Sequence, residues 1–254
     1  MKCNGLKHTL QHKGNAIGTF VKFCDPASVE ILALAGFDFF VLDTEHVGMD
    51  RQELLHILRA AEASGITPIV RVKENNQVEI LQNLDFGYLG VQVPNVDTPE
   101  QAARLVESVK YTPLGNRGLS PSVRACCYGA MPVWEYTEAA NRETLIVSHC
   151  ETVECVNNLD AILQVDGIDV IFIGPMDLSQ SLGIPGETGS KAVQDCIAGI
   201  KRKVLASSKA LGTTAATPEA ARDLIAQGVQ YILLGSDQSM MYKWGRGAIE
   251  AIRG

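Results

Sequence analysis

Short apolar runs, most of them β-branched, recur along the chain, and nearly every one is followed by a stretch with helical spacing. The sharpest is Val170-Ile171-Phe172-Ile173, led in by a turn over 165–169 and closed by Gly174-Pro175. Four consecutive apolar residues suit a strand covered on both faces, as a parallel sheet requires. The same pattern predicts strands over Ala16–Phe23, Phe37–Asp43, Thr67–Val72, Gly90–Val96, Thr144–Cys150, Leu211–Ala216 and Tyr231–Leu234. Helices are expected over Pro26–Ala35, Arg51–Ser64, Val78–Asp85, Thr98–Val109, Val153–Leu163, Val193–Ser208 and Pro218–Gln227, with a helical tail. Leu54, Leu55, Leu58 and Ala61 carry the spacing of one apolar helix face. Gly36 ends one helix, and Thr98 followed by Pro99 is a cap with a first-turn proline.

Eight strand-then-helix units predict a (β/α)8 TIM barrel, read as a single domain over 1–254 with a polar N-terminal extension at 1–14. A doubly wound open sheet is the competitor, but no Gly-x-Gly-x-x-Gly turn follows the first strand. The rhythm breaks over 111–132, a stretch rich in Gly, Pro, Ser and Arg. It is longer than an ordinary connection, and is expected as an active-site or interface loop, with disorder as the alternative.

Composition narrows the functional classes. A chain of 254 residues with 46% hydrophobic residues can bury a sizeable core. Net charge is −7, without a basic cluster interleaved with aromatics, which argues against nucleic acid. No apolar stretch approaches the roughly 18 residues of a membrane span, and no signal-peptide core opens the chain. Seven cysteines without framework spacing are expected as reduced thiols in a cytoplasm.

In a barrel the carboxyl ends of the strands converge, bringing Asp43, Glu45, His46, Arg71, Gln92, His149, Glu151 and Asp177 to one face. Glu151 and Asp177 end neighbouring strands, where two carboxylates repel unless a cation lies between them. Hard oxygen ligands with open positions suit Mg²⁺ or Mn²⁺. Salt bridges to arginine, or for Asp177 a helix cap, are the alternatives. Zinc fits less well, because Cys150, next to Glu151, points to the other side of its strand. Asp43 and His46 form a second pair, a carboxylate beside an imidazole able to move protons. Arg71 has the fork geometry for a carboxylate or oxyanion.

The motifs Phe37-Asp38-Phe39-Phe40-Val41-Leu42-Asp43-Thr44-Glu45-His46, Arg71-Val72, Val93-Pro94, Gly115-Asn116-Arg117-Gly118, Glu151-Thr152 and Gly174-Pro175-Met176-Asp177-Leu178-Ser179 occur in that order. In this the chain resembles the HpcH/HpaI aldolases, from about Gly14 to its end. The resemblance implies a divalent-metal-dependent (class II) pyruvate aldolase on a (β/α)8 barrel. It makes Glu151 and Asp177 metal ligands for Mg²⁺ or Mn²⁺, with Co²⁺ a further candidate. It also makes His46, oriented by Asp43, the acid–base group and Arg71 the contact to pyruvate oxygens. Backbone N–H groups of Met176 and Asp177 would hold the substrate carboxylate. Homo-oligomers, commonly hexamers with exchanged C-terminal helices, are implied, as is a place near the active site for the Gly115–Arg124 loop.

Two departures stand out. His149 occupies the position where many members carry Gln, which could retune the site. The loop after Gly118 reads Leu119-Ser120-Pro121-Ser122-Val123-Arg124, where better-known members have Gly-Ser. Thr214 and Ser236, on the last two strands, would add a polar wall that leans toward a hydroxylated aldehyde. The expected reaction is reversible cleavage of a 4-hydroxy-2-oxo acid to pyruvate and an aldehyde through a metal-stabilised enolate. Rivals are a Schiff-base aldolase using Lys73, a citrate-lyase-like CoA-thioester lyase or an oxaloacetate decarboxylase, and a non-catalytic metabolite-binding barrel.

Overall fold

Side chains alternate across a strand, so a strand buried on both faces feeds two separate cores. That is what the computed structural model, which describes residues 2–254, shows. In chain order the elements are α1 (Gly5–Gln11), β1 (Ala16–Val21), α2 (Pro26–Leu34), β2 (Phe39–Asp43), α3 (Arg51–Ser64), β3 (Thr67–Arg71) and α4 (Gln77–Phe86). Next come β4 (Gly90–Val93), α5 (Pro99–Val109), α6 (Val133–Glu143), β5 (Leu145–Cys150), α7 (Val153–Ile162), β6 (Val170–Ile173) and α8 (Pro175–Ser181). The chain closes with α9 (Lys191–Leu205), β7 (Ala210–Ala215), α10 (Pro218–Ala226), β8 (Tyr231–Ser236) and α11 (Asp237–Arg253). The eight strands are parallel, pair in sequence order, and close through β8 on β1.

One parity points into the barrel: Phe39, Val41, Ile69, Val147, Phe172, Tyr231 and Leu233 form the inner core. The other parity, including Phe40, Leu42, Val70, Ile171 and Ile232, packs against the apolar faces of the helices. Cys150 belongs to this outer set, facing away from the barrel interior as its position next to Glu151 predicts. Gly18 is required by close approach, since a Cβ there would stand 2.5 Å from the Phe39 ring. Helix starts follow their caps. Asp50 and Glu53 form a reciprocal capping box on α3, worth about 1 kcal/mol.

The region expected as a polar extension contains a helix. Asn4 caps α1 by accepting the Lys7 N–H at 3.1 Å, and Leu6 and Leu10, one turn apart, enter the inner core. Lys7 pairs with Asp169 at 3.1 Å, so α1 closes the amino-terminal end of the barrel. The Asn4 cap and the Leu6–Leu10 spacing were the available signals. No element was expected between Pro132 and Thr144, where α6 stands. The 111–132 loop packs outside its own barrel's wall: Arg117 binds Asp85 at 2.6 Å, and Arg124 binds Glu62 and the Phe86 carbonyl at the lower end of α4. Within one chain these charged contacts are with α3 and α4, and Asn116 accepts from Gln77 at the start of α4 at 3.3 Å.

Candidate active site

The strand ends meet as period-2 parity requires. Asp43 ends β2 and is directly in register with Arg71 at the end of β3, which is in register with Gln92 on β4. All three point inward. Arg71 donates Nε to Asp43 Oδ1 at 3.1 Å and Nη2 to Oδ2 at 2.8 Å. Lys22, just beyond β1, lies 3.2 Å from Asp43 Oδ2. Burial pushes the Asp43 carboxyl up, but the Arg71 hydrogen bonds and charge, the His46 N–H and Lys22 carry it below its ordinary value.

Asp43 does not hold the His46 ring. Its Oδ1 accepts the backbone N–H groups of Glu45 and His46, each at 3.2 Å, so it shapes the turn that carries the imidazole. The His46 side chain is 55% exposed, and the nearest carboxylate oxygen, Glu45 Oε2, is 3.9 Å from its Nε2. That same Glu45 oxygen lies 3.0 Å from Arg71 Nη1, close enough for an ion pair but without hydrogen-bond alignment. Burial raises the Glu45 carboxyl above its ordinary value despite Arg71. The sequence pattern put Glu45 at this face without giving it a role.

Across the mouth, Glu151 follows β5 and is buried. Its Oε1 accepts the Asn95 N–H at 3.0 Å, and its Oε2 is 2.7 Å from His149 Nδ1. Burial pushes its carboxyl up, while its contact with His149 and the Asn95 N–H pull it below the ordinary value. Gly174, ending the neighbouring strand, makes this seat: a Cβ there would stand 2.6 Å from Glu151 Oε2. Gly174 is also the N-cap of α8, and Asp177 lies in that helix's first turn, exposed to solvent. The capping alternative for Asp177 therefore fails. Neither Glu151 nor Asp177 pairs with an arginine among the described residues, which removes the salt-bridge alternative. Met176 is exposed beside Asp177. Thr214, on the inward parity of β7, is exposed at the mouth. Ser236 is occupied as the N-cap of α11, where its Oγ accepts the Ser239 N–H at 3.2 Å.

The mouth thus gathers four carboxylates, Asp43, Glu45, Glu151 and Asp177, against Lys22 and Arg71. Asp43 and Glu45 are engaged by the cations; Glu151 and Asp177 are not. Their all-oxygen donor set and the recess at Gly174 fit a hard divalent cation. A different group, Cys3, His8 and Glu143, has converging ligand atoms, but it lies at the opposite, α1 end, where His8 Nε2 is 3.1 Å from Glu143. Lys73 is exposed and lacks the desolvated setting a Schiff-base lysine needs.

A sequence model of the HpcH/HpaI aldolase/citrate lyase family matches residues 16–243. The chain belongs to this family. It is 37% identical to the hydroxypyruvate/pyruvate aldolase of Cupriavidus necator, over 92% of this chain and 87% of that one. It is 38% identical to the 2-keto-3-deoxy-L-rhamnonate aldolase of Klebsiella pneumoniae, over 94% and 89%. The crystal structure of the citrate synthase SbnG superposes with a TM-score of 0.89 at 35% identity, over 98% of this chain and 97% of that one. As a member of the HpcH/HpaI family the chain is an enzyme of the aldolase class of lyases. No helix among the described residues is long and apolar enough to cross a membrane, and all seven cysteines are free thiols.

Proposed function

We propose that this HpcH/HpaI protein is a divalent-metal-dependent aldolase that reversibly cleaves a 4-hydroxy-2-oxo acid to pyruvate and an aldehyde. The observation that carries this reading is Glu151 seated against Gly174, the N-cap of α8, with Asp177 in that helix's first turn. Glu151 and Asp177 would hold Mg²⁺, Mn²⁺ or Co²⁺, which when bound supplies positive charge to the 2-oxo acid oxygens as the carbon–carbon bond breaks. Arg71, its Nε and Nη2 held by Asp43, offers its remaining Nη N–H groups and its positive charge to the oxygen on which negative charge develops. His46, exposed at the mouth on the turn shaped by Asp43, moves the proton of the C4 hydroxyl. The N–H groups of Met176 and Asp177, at the α8 terminus without a side-chain cap, receive the carboxylate.

Thr214 contributes a hydroxyl to the wall facing the aldehyde, which favours a hydroxylated partner. The Cupriavidus and Klebsiella enzymes, named for hydroxypyruvate and a keto-deoxy sugar acid, support that substrate class. A homo-oligomer accounts for α11, which buries no residue and exposes Met241, Tyr242, Trp244, Ile249 and Ile252. It also gives the 111–132 loop a role at an interface, its charged contacts within one chain being with α3 and α4.

The test is pyruvate release from a panel of 4-hydroxy-2-oxo acids, before and after EDTA and with each metal restored. Loss on chelation and recovery with metal are expected. Activity indifferent to EDTA, with pyruvate trapped by borohydride on Lys22 or Lys73, would overturn the reading. The likeness to a citrate synthase favours one further reading, condensation of an enolate with an oxo acid, so oxaloacetate and acetyl-CoA belong in the panel.

A further inference from the structure

Behind Glu151 a line of polar groups crosses the otherwise apolar barrel interior. Tyr231 Oη donates to Gln92 Oε1 at 2.9 Å, Gln92 Nε2 is 2.8 Å from His149 Nε2, and His149 Nδ1 is 2.7 Å from Glu151 Oε2. Each of the four residues is at most 3% exposed. From these contacts we propose that Tyr231 and Gln92 are positioning residues that set the tautomer of His149, so that its Nδ1–H is donated to Glu151 and holds that carboxylate in one orientation.

The polarity of the chain follows from its far end. Desolvation holds the Tyr231 phenol well above its ordinary range, so it keeps its proton. Its partner is Gln92, and a buried hydroxyl hydrogen without an acceptor costs about 1–3 kcal/mol. The Gln92 carbonyl oxygen is therefore committed to Tyr231, and the amide must turn its NH₂ toward His149. A donor facing Nε2 leaves that nitrogen as an acceptor, which places the ring proton on Nδ1. Glu151, an acceptor on both oxygens, receives it.

Packing holds the ring plane. His149 stacks on Phe172 at 5.0 Å between centroids, and Tyr231 meets Phe172 edge-on at 6.0 Å and Phe39 at 4.4 Å. With Asn95 N–H on Oε1, His149 on Oε2 and Gly174 against it, each Glu151 oxygen has a fixed partner and keeps a further lone pair. An imidazole at 149 does this because it can accept on one side and donate on the other, carrying the polarity set at Tyr231 through to the carboxylate. The tautomer assignment stands on the apoprotein; only the consequence for metal affinity rests on the proposed ligand role of Glu151.

The experiment is long-range ¹H–¹⁵N correlation on ¹⁵N-histidine-labelled apoprotein at one pH, for the native chain and Tyr231→Phe, with Mn²⁺ binding by calorimetry on both. Tyr231→Phe keeps the rings against Phe39 and Phe172 and removes only the hydroxyl. The native His149 is expected as the single Nδ1–H tautomer. The variant is expected to lose that single state, because Gln92 is freed to turn over, and to bind Mn²⁺ about tenfold more weakly. A native His149 protonated on Nε2, or on both nitrogens, overturns the proposal, as does a variant with unchanged tautomer. Gln92→Leu, followed by the same spectrum, gives a second, independent loss of the donor. A native chain with the expected tautomer but without Mn²⁺ binding supports the positioning role and overturns the metal reading instead.

Discussion

Asp43 and Arg71 are joined by two hydrogen bonds in the barrel mouth, with the carboxylate wholly buried and the guanidinium nearly so. Removing one partner strands the other charge. Asp43→Ala is expected to destabilise the fold by about 3–5 kcal/mol, measured by denaturant unfolding. Arg71→Lys keeps the charge but loses the fork, and should lower kcat/KM by about a hundredfold or more with a smaller loss of stability. Because the folded Asp43 carboxyl lies below its ordinary value, its stabilisation is complete above that value and is lost as pH falls through the folded pKa. Asp43→Asn should flatten that acid limb.

Gly174 is a steric prediction. Ala at this position places a methyl 2.6 Å from Glu151 Oε2 and 3.0 Å from its Cβ, and the carboxylate must move. Mn²⁺ affinity is expected to fall at least about tenfold, with a stability cost of roughly 1–3 kcal/mol. Unchanged affinity would remove Glu151 from the ligand set.

His46 separates catalysis from folding. Its ring is exposed and only a 3.9 Å contact with Glu45 Oε2 ties it to a carboxylate, so His46→Ala should change stability by less than about 0.5 kcal/mol. If it moves the proton, kcat falls by roughly 10²–10⁴. Steady-state kinetics and a thermal melt on the same sample decide this.

At the closed end, burial, with Lys7 beside it, pushes the Lys110 ammonium down to about 7. Between there and its ordinary value of 10.5 the unfolded chain holds a proton that the folded chain has released. This group's contribution to stability therefore rises with pH across that window. Denaturant unfolding at a series of pH values should show Lys110→Met losing part of the upward slope, whatever its absolute stability.

Trp244, 79% exposed on α11, is expected at a contact between copies. Trp244→Glu should give a smaller species by light scattering, since a charge would be buried unpaired at the contact. An unchanged mass would leave α11 out of the interface.

Much of this was legible because strand period and strand ends are local properties. The run Val170–Ile173 stopped by Gly174-Pro175 reads as a two-sided strand, and parity alone turns Asp43, Arg71, Gln92 and His149 inward. The helix α1 was less legible: seven residues with two apolar positions make a weak pattern until a barrel end is there to receive Leu6 and Leu10. Ser236 was placed on the right strand, but whether its hydroxyl faces a ligand or caps α11 depends on where the following helix begins.

The sequence by itself determined the eight-fold strand–helix repeat, the family, and the set of polar residues at one end of the barrel, because burial periodicity and motif order need no partner from elsewhere in the chain. Tertiary structure alone decided who binds whom. Asp43 meets Arg71 and Lys22 rather than the His46 ring, and Glu151 meets His149 and rests on Gly174. Tyr231, from the last strand, reaches Gln92 through the interior. Those pairings depend on barrel closure and register, which bring together residues up to 139 positions apart, and no local pattern records a distance across a closed sheet.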